Sequence, residues 1–212
     1  MKKLESTLPN MVIVLTCVSL ISATLLGVMQ QLTKEPIAQI ERQTLEDGIK
    51  KVMLGGKAGE LTVSRTDTVE MDNTAFIIYT AEQGGVELGK AVKATVTGFS
   101  PGLTVLTGFD VEGNILGYEI LATAETPGLG AKADQWFQKG AKGDIIGKNP
   151  GANNMTVSKD GGEVDAITAS TITSRAFLKA VNMEYKAISN AATEATTGAT
   201  TKTEAYETAE AE

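Results

Sequence analysis

The chain has 212 residues, 42% of them hydrophobic, a formal net charge of −7, no histidine and one cysteine. These counts exclude Ser-His-Asp and Cys-His catalysis, His-ligated zinc or haem, an intramolecular disulfide, and a four-thiolate iron–sulfur cluster built by this chain alone. Redox or transfer chemistry here must use a hydroxyl or carboxylate, a bound cofactor or a partner chain, in a length that allows one ordinary domain plus accessories. The charge divides by region into +1 over residues 1–10, −4 over 191–212 and −4 between them. No basic stripe tracks a phosphate backbone, which argues against nucleic acid as a partner.

Residues Met11 to Met29, MVIVLTCVSLISATLLGVM, carry no charge. A helix of that length spans about 28 Å, the thickness of a bilayer's hydrocarbon core, so 11–29 is predicted to be a single transmembrane helix. A cleaved signal peptide fits less well, because the apolar run exceeds a typical h-region and no A-x-A-like site follows it. Val14-Leu15-Thr16-Cys17 only faintly resembles a lipobox, and Cys17 reads as a small hydrophobe within the membrane. Lys2 and Lys3 on one side face Lys34 and Arg42 on the other, so charge alone sets orientation weakly. A short N-terminal tail (1–10) before a long C-terminal body places that tail in the cytoplasm and the body outside it.

Beyond the membrane, Ile37, Ile40, Leu45, Ile49, Val52 and Met53 recur at helical spacing, with Pro36 near the start and Gly55-Gly56 at the end. The spacing predicts an amphipathic connecting helix over 30–56. From Thr74 the texture turns to β, with TAFIIY (74–79), AVKATV (91–96), LTVLTGF (103–109) and NILGYEI (114–120). The short breaks at Ser100-Pro101-Gly102 and Glu112-Gly113-Asn114 favour antiparallel hairpins. A last helix is expected from Thr171 to Ile188, burying Ile172, Ala176, Phe177, Ala180, Val181, Tyr185 and Ile188. Residues 190–212 hold one large apolar side chain, Tyr206, and read as a disordered acidic tail after a domain over 57–189. The fold class is therefore α+β: antiparallel strands with flanking helices behind one N-terminal anchor.

Two stretches stand out for chemistry. In Glu125-Thr126-Pro127-Gly128-Leu129-Gly130, the run from Gly128 to Ala133 formally fits the dinucleotide fingerprint G-x-G-x-x-A, but hairpins precede it where that motif needs a βαβ unit. It reads either as a glycine-rich connection or as a loop whose bare backbone packs against a flat ligand. The second stretch, Asp165 to Arg175, carries five hydroxyls (Thr168, Ser170, Thr171, Thr173, Ser174) where the last helix begins. One hydroxyl suffices to cap a helix. The helix N-terminus also presents free N–H donors and partial positive charge, worth about 0.3–1 kcal/mol to a phosphate held there, so a hydroxyl at that point is well placed to carry one. Asp110, Glu112 and Asn114 alternate like calcium ligands but are better explained by a hairpin turn, and Trp136 and Phe137 as core or interface anchors.

With these motifs the chain resembles the covalent-FMN subunits of membrane respiratory complexes: the G subunits of Rnf-type electron-transport complexes, and their relatives, the C subunits of sodium-pumping NADH:quinone reductases. The likeness covers most of residues 1–188, including Leu32-Thr33-Lys34-Glu35-Pro36-Ile37, the run from Gly98 into Glu125–Gly130, and Asp165 to Arg175. In that family FMN is joined through its phosphate, by a separate flavin transferase, to the last Thr of a D-x-x-[ST]-G-A-T pattern. Asp165 and Thr168 match, Ala169 stands in place of Gly, Ser170 stands in place of Ala and offers a second hydroxyl, and Thr171 is the implied acceptor. Family members often carry a His before E-T-P-G-L-G; here the stretch reads Leu121-Ala122-Thr123-Ala124.

The resemblance implies a covalent FMN on Thr171, with Thr168, Ser170, Thr173 and Ser174 around it and Glu125, Thr126, Gly128, Leu129 and Gly130 near the flavin ring or ribityl chain. It implies no catalytic side chain and no metal. Electrons would be relayed within an ion-translocating complex that couples ferredoxin and NAD redox to ion movement, the remaining sites belonging to other subunits. From a different class, a non-catalytic membrane-anchored binding module would use the same motifs only structurally.

Overall fold

The computed structural model describes residues 8–55, 57 and 59–197. The elements run α1 (Leu8–Leu54), β1 (Thr62–Met71), β2 (Thr74–Gln83), β3 (Val86–Val96), β4 (Leu103–Asp110), β5 (Ile115–Ala122), α2 (Ala133–Trp136) and α3 (Thr171–Thr197). The chain divides into two compact units between Leu45 and Glu46.

In the first unit the described residues are helical. Its apolar stretch is long and apolar enough to cross a membrane, and no residue of the most apolar window is buried. The two helices expected at 11–29 and 30–56 are one continuous helix, with Pro36 inside it. Proline lacks the N–H that would bond the carbonyl one turn back, at Leu32. Leu32 is 66% exposed, so that carbonyl lies on an open stretch of helix, and the helix runs on through Pro36. Ile37 and Ile40, expected on a buried face, are exposed, and Leu45 is half-buried.

The second unit opens with the last turns of α1, where Ile49, Val52 and Met53 are buried. The helix closes at Gly55, which takes the left-handed φ of +61° that lets glycine end a helix. Five strands follow as an antiparallel meander in the order β1-β2-β3-β4-β5. Strand β1 has no counterpart in the sequence expectation because Ser64, Arg65, Asp67 and Glu70 break its pattern, and a bulge between Val63 and Arg65 resets its alternation. Its turn to β2 is made by Asp72 and Asn73, both at positive φ, the chemistry of a tight hairpin. The two expected hairpins, β3–β4 and β4–β5, are present.

Both faces of the sheet are covered. Leu103, Val105 and Phe109 of β4 belong to the main core with Phe177, Leu178, Ala180 and Val181 of α3, while on the opposite face the end of α1 lies against β4 and β5. Close approach there depends on two glycines paired in register, Gly108 and Gly117: a Cβ on either would come within 3.0 Å of the Val52 carbonyl oxygen. Lys51 Nζ then reaches Glu119 Oε2 at 2.5 Å.

On the α3 side, Phe137 stacks on Phe177 with centroids 4.4 Å apart, and Tyr118 meets Phe177 edge-on at 4.8 Å. The Tyr118 hydroxyl donates to the Ala133 carbonyl at 2.6 Å and accepts from the Phe137 N–H at 3.2 Å, fastening α2 to the sheet. Burial pushes that phenol well above the ordinary tyrosine range.

Helix α3 starts at Thr171 as expected and continues to Thr197, so the first residues of the expected tail are helical; 198–212 and 1–7 lie outside the described residues. Ile172 is 55% exposed rather than buried. At roughly 100° per residue it lies about 140° round the helix from Phe177, off the core face.

Candidate functional site

The two motifs meet at the start of α3. After β5 the chain turns through Thr126–Gly130 into a 3-10 turn at Gly130–Lys132 and the single turn of α2. The Thr126 carbonyl accepts from the N–H groups of Leu129 and Ala131 at 3.1 and 3.3 Å. This is a compact loop after an antiparallel hairpin, not the βαβ setting of a dinucleotide fingerprint. Asp110, Glu112 and Asn114 form a turn: Asp110 Oδ1 accepts from the N–H groups of Glu112 and Asn114 at 2.9 and 2.8 Å.

Glu125 joins the motifs. It is 6% exposed, and its Oε2 accepts from Thr173 Oγ1 at 2.8 Å while its Oε1 accepts from the Ser100 N–H at 3.1 Å. Ser170 Oγ in turn donates to Thr173 Oγ1 at 3.0 Å. A buried carboxylate must find donors, and the Thr173 hydroxyl, 48 residues away in sequence, and the Ser100 N–H supply them. Gly130 is required by this arrangement, since a Cβ there would collide with Glu125 Oε2 and lie 2.7 Å from Thr173 Oγ1. Ser174 Oγ donates to the Ser170 carbonyl at 3.0 Å and accepts from the Ile167 N–H at 2.9 Å, tying the bend before the helix to its first turn.

Ser170, Thr173, Ser174, Glu125 and Gly130 are thus buried and hold the helix start in place. Thr126, Gly128, Leu129 and Thr168 are exposed, and Thr171 is half-buried. Gly128 has φ +77° with open space around its Cβ position. Among the described residues, Thr171's hydroxyl takes part in no hydrogen bond. The first N–H groups of any helix lack intrahelical partners, so Thr171 stands where an anion is best received.

Ala169 occupies the bend at φ +62°, a left-handed conformation costly to a residue with a Cβ. This explains the glycine of the resembling pattern. Ala169→Gly is expected to stabilise the domain by about 1 kcal/mol, roughly 2–4 °C in Tm, measured by thermal unfolding. An unchanged or lower midpoint would contradict a left-handed bend.

Sequence reasoning missed the cleft beside this bend. About 250 Å³ in volume, it is lined by Trp136, Lys142, Ser158, Lys159, Asp165, Ala166 and Thr168. Its wall is fastened to α3 by Arg175, whose Nε and Nη2 each lie 2.7 Å from an oxygen of Asp160. That guanidinium holds the Asp160 carboxyl below the usual carboxylate range. Asp165 and Thr168 belong to the hydroxyl-rich stretch singled out in the sequence and Trp136 is the chain's single tryptophan, but no short motif joins them to Lys142, Ser158 and Lys159.

An antiparallel meander capped by a helix whose hydroxyl-rich start meets a glycine loop is the setting of a flavin domain: residues 98–186 match the FMN-binding domain family. Over 186 aligned residues the chain is 30% identical to the G subunit of the ion-translocating oxidoreductase complex of Aliivibrio fischeri, covering 83% of this chain and 88% of that relative. It is 31% identical to the G subunit of the corresponding complex of Vibrio vulnificus, covering 74% of this chain and 78% of that one. A shorter match, 53% of this chain and 55% of the relative, is 37% identical to the G subunit of the Na(+)-translocating ferredoxin:NAD(+) oxidoreductase complex of Acetobacterium woodii. The chain belongs to the family of G subunits of ion-translocating oxidoreductase complexes.

Proposed function

We propose that this chain carries FMN covalently, through a phosphoester on Thr171 Oγ, and relays electrons inside a membrane-bound ion-translocating complex of the ferredoxin:NAD type. The carrying observation is the contrast between adjacent hydroxyls: Ser170 Oγ is buried and already donates to Thr173, whereas Thr171 is half-buried at the first residue of α3. The residues present fit the group. Free N–H donors at the helix start would receive the phosphate. FMN supplies the one- and two-electron chemistry; the protein's part is tethering, orientation and electrostatics. Glu125, Ser170, Thr173, Ser174 and Gly130 are positioning residues, and Thr126, Leu129 and Thr168 are exposed.

Formation of the ester requires a flavin transferase acting on an accessible hydroxyl, and the relay requires the other subunits as donor and acceptor. The relatives from ion-translocating complexes favour this assignment over the related quinone reductase, and the FMN-binding domain disfavours a purely structural module. Produced with an active flavin transferase, the chain is expected to give a fluorescent band on a denaturing gel; a dark band would refute covalent attachment.

The anchor over 11–29 is read with its N-terminus in the cytoplasm and the domain outside. A Lys57→Cys variant should then react with a membrane-impermeant maleimide in intact spheroplasts. Labelling only after lysis would reverse the orientation.

A further inference from the structure

We infer that Arg175 is the counter-ion of the phosphate carried by Thr171, shared with Asp160 once the ester has formed. This rests on the phosphoester reading above and adds to it the side chain that answers the ester's charge. Arg175 follows Thr171 by four residues on α3, and side chains so spaced are neighbours on one helix face, about 5–6 Å apart at Cβ. Helical side chains also lean toward the N-terminus, so the long Arg175 chain is directed over the turn that bears Thr171. Over Thr171–Leu178, the first two turns of the helix, Arg175 is the single charged residue.

The charges at this helix start call for an anion that the helix itself does not supply. Its first turn holds no acidic side chain, although N-terminal N–H groups favour one, and the cation Arg175 stands in the second turn against the dipole. Asp160, from the 3-10 turn at Ser158–Asp160, offsets that cation through the two 2.7 Å contacts to Nε and Nη2. These contacts use two of the guanidinium's five N–H donors, and among the described residues the other three have no partner. The Arg175 side chain is 51% exposed in this pair, so a phosphate one turn away can meet the remaining donors without the pair breaking. Asp160 therefore acts in two senses: it orients the guanidinium, and its own charge opposes that of the phosphate.

The test uses the full-length chain in detergent, bare and flavinylated by its transferase, and reads the rise in unfolding midpoint that flavinylation brings. Each variant is its own reference, so the cost of breaking the Asp160–Arg175 pair cancels. Arg175→Gln should make the rise smaller by about 1–3 °C, the scale of one exposed ion pair in a chain of this size, and less dependent on salt. Asp160→Asn, which removes the competing carboxylate and keeps the cation, should make it larger, and Arg175→Lys should retain most of it. A pair that only fastens the loop predicts the same rise in wild type, Arg175→Gln and Asp160→Asn. That result, or Arg175→Gln and Asp160→Asn shifting the rise in the same direction, would overturn the counter-ion role and leave the threonine ester standing. A wild-type chain without a fluorescent band on the denaturing gel would overturn the ester and this inference with it.

Discussion

Thr171→Ala is expected to abolish the covalent flavin, whereas Ser170→Ala retains it. Both residues are hydroxyls at the start of α3, yet the fold treats them oppositely. Ser170 is 9% exposed and its hydroxyl proton is committed to Thr173, which is itself committed to Glu125. Thr171 is half-buried, and a phosphate on it meets the helix's unpaired N–H groups, gaining about 0.3–1 kcal/mol from the dipole. Ser170→Ala removes one buried hydrogen bond, a loss of about 1 kcal/mol, without leaving the Thr173 hydroxyl unpaired, because Glu125 still accepts from it. In-gel fluorescence after denaturation should fall to background for Thr171→Ala and stay near wild type for Ser170→Ala. The reverse pattern would move the ester to Ser170.

The second large effect is on stability. Glu184 lies fully buried on the core face of α3, facing Thr107 of β4, and no hydrogen bond of good geometry satisfies either side chain. Burial drives its carboxyl pKa far upward, so the folded domain keeps a proton that the unfolded chain releases above about pH 4.3. The folded-state pKa is the higher one. The contribution is therefore most favourable below the unfolded pKa and is lost as pH rises toward the folded one, at a slope approaching about 1.4 kcal/mol per pH unit. Glu184→Gln removes the titration and keeps the shape. Urea unfolding of wild type and variant should show Glu184→Gln gaining on wild type steadily from pH 5 upward. A gap independent of pH would mean that Glu184 is solvated or ionised in the native state.

Much of the fold was legible because local pattern and tertiary role agree. The hydroxyl cluster marked the start of α3 at Thr171, Gly55 marked the end of α1, and the breaks at Ser100–Gly102 and Glu112–Asn114 marked two hairpins. Strand β1 was illegible for the opposite reason: as an edge strand it buries little, so its apolar alternation is weak, and its bulge breaks the remainder.

By itself the sequence determined what the chain carries and lacks: an apolar stretch long enough for an anchor and a hydroxyl-rich start to its last helix, but no histidine and no thiol set, so that any redox group must be borrowed. Only the tertiary structure decided how exposed and how engaged each of those hydroxyls is. Glu125 lies 48 residues from Thr173, and it takes both chain segments brought together to bury that carboxylate, engage Thr173 and Ser170, and leave Thr171 open. The cleft at Trp136 and the unsatisfied Glu184 arise in the same way. Burial and hydrogen-bond satisfaction belong to residues adjacent in space, and no spacing along the chain encodes them.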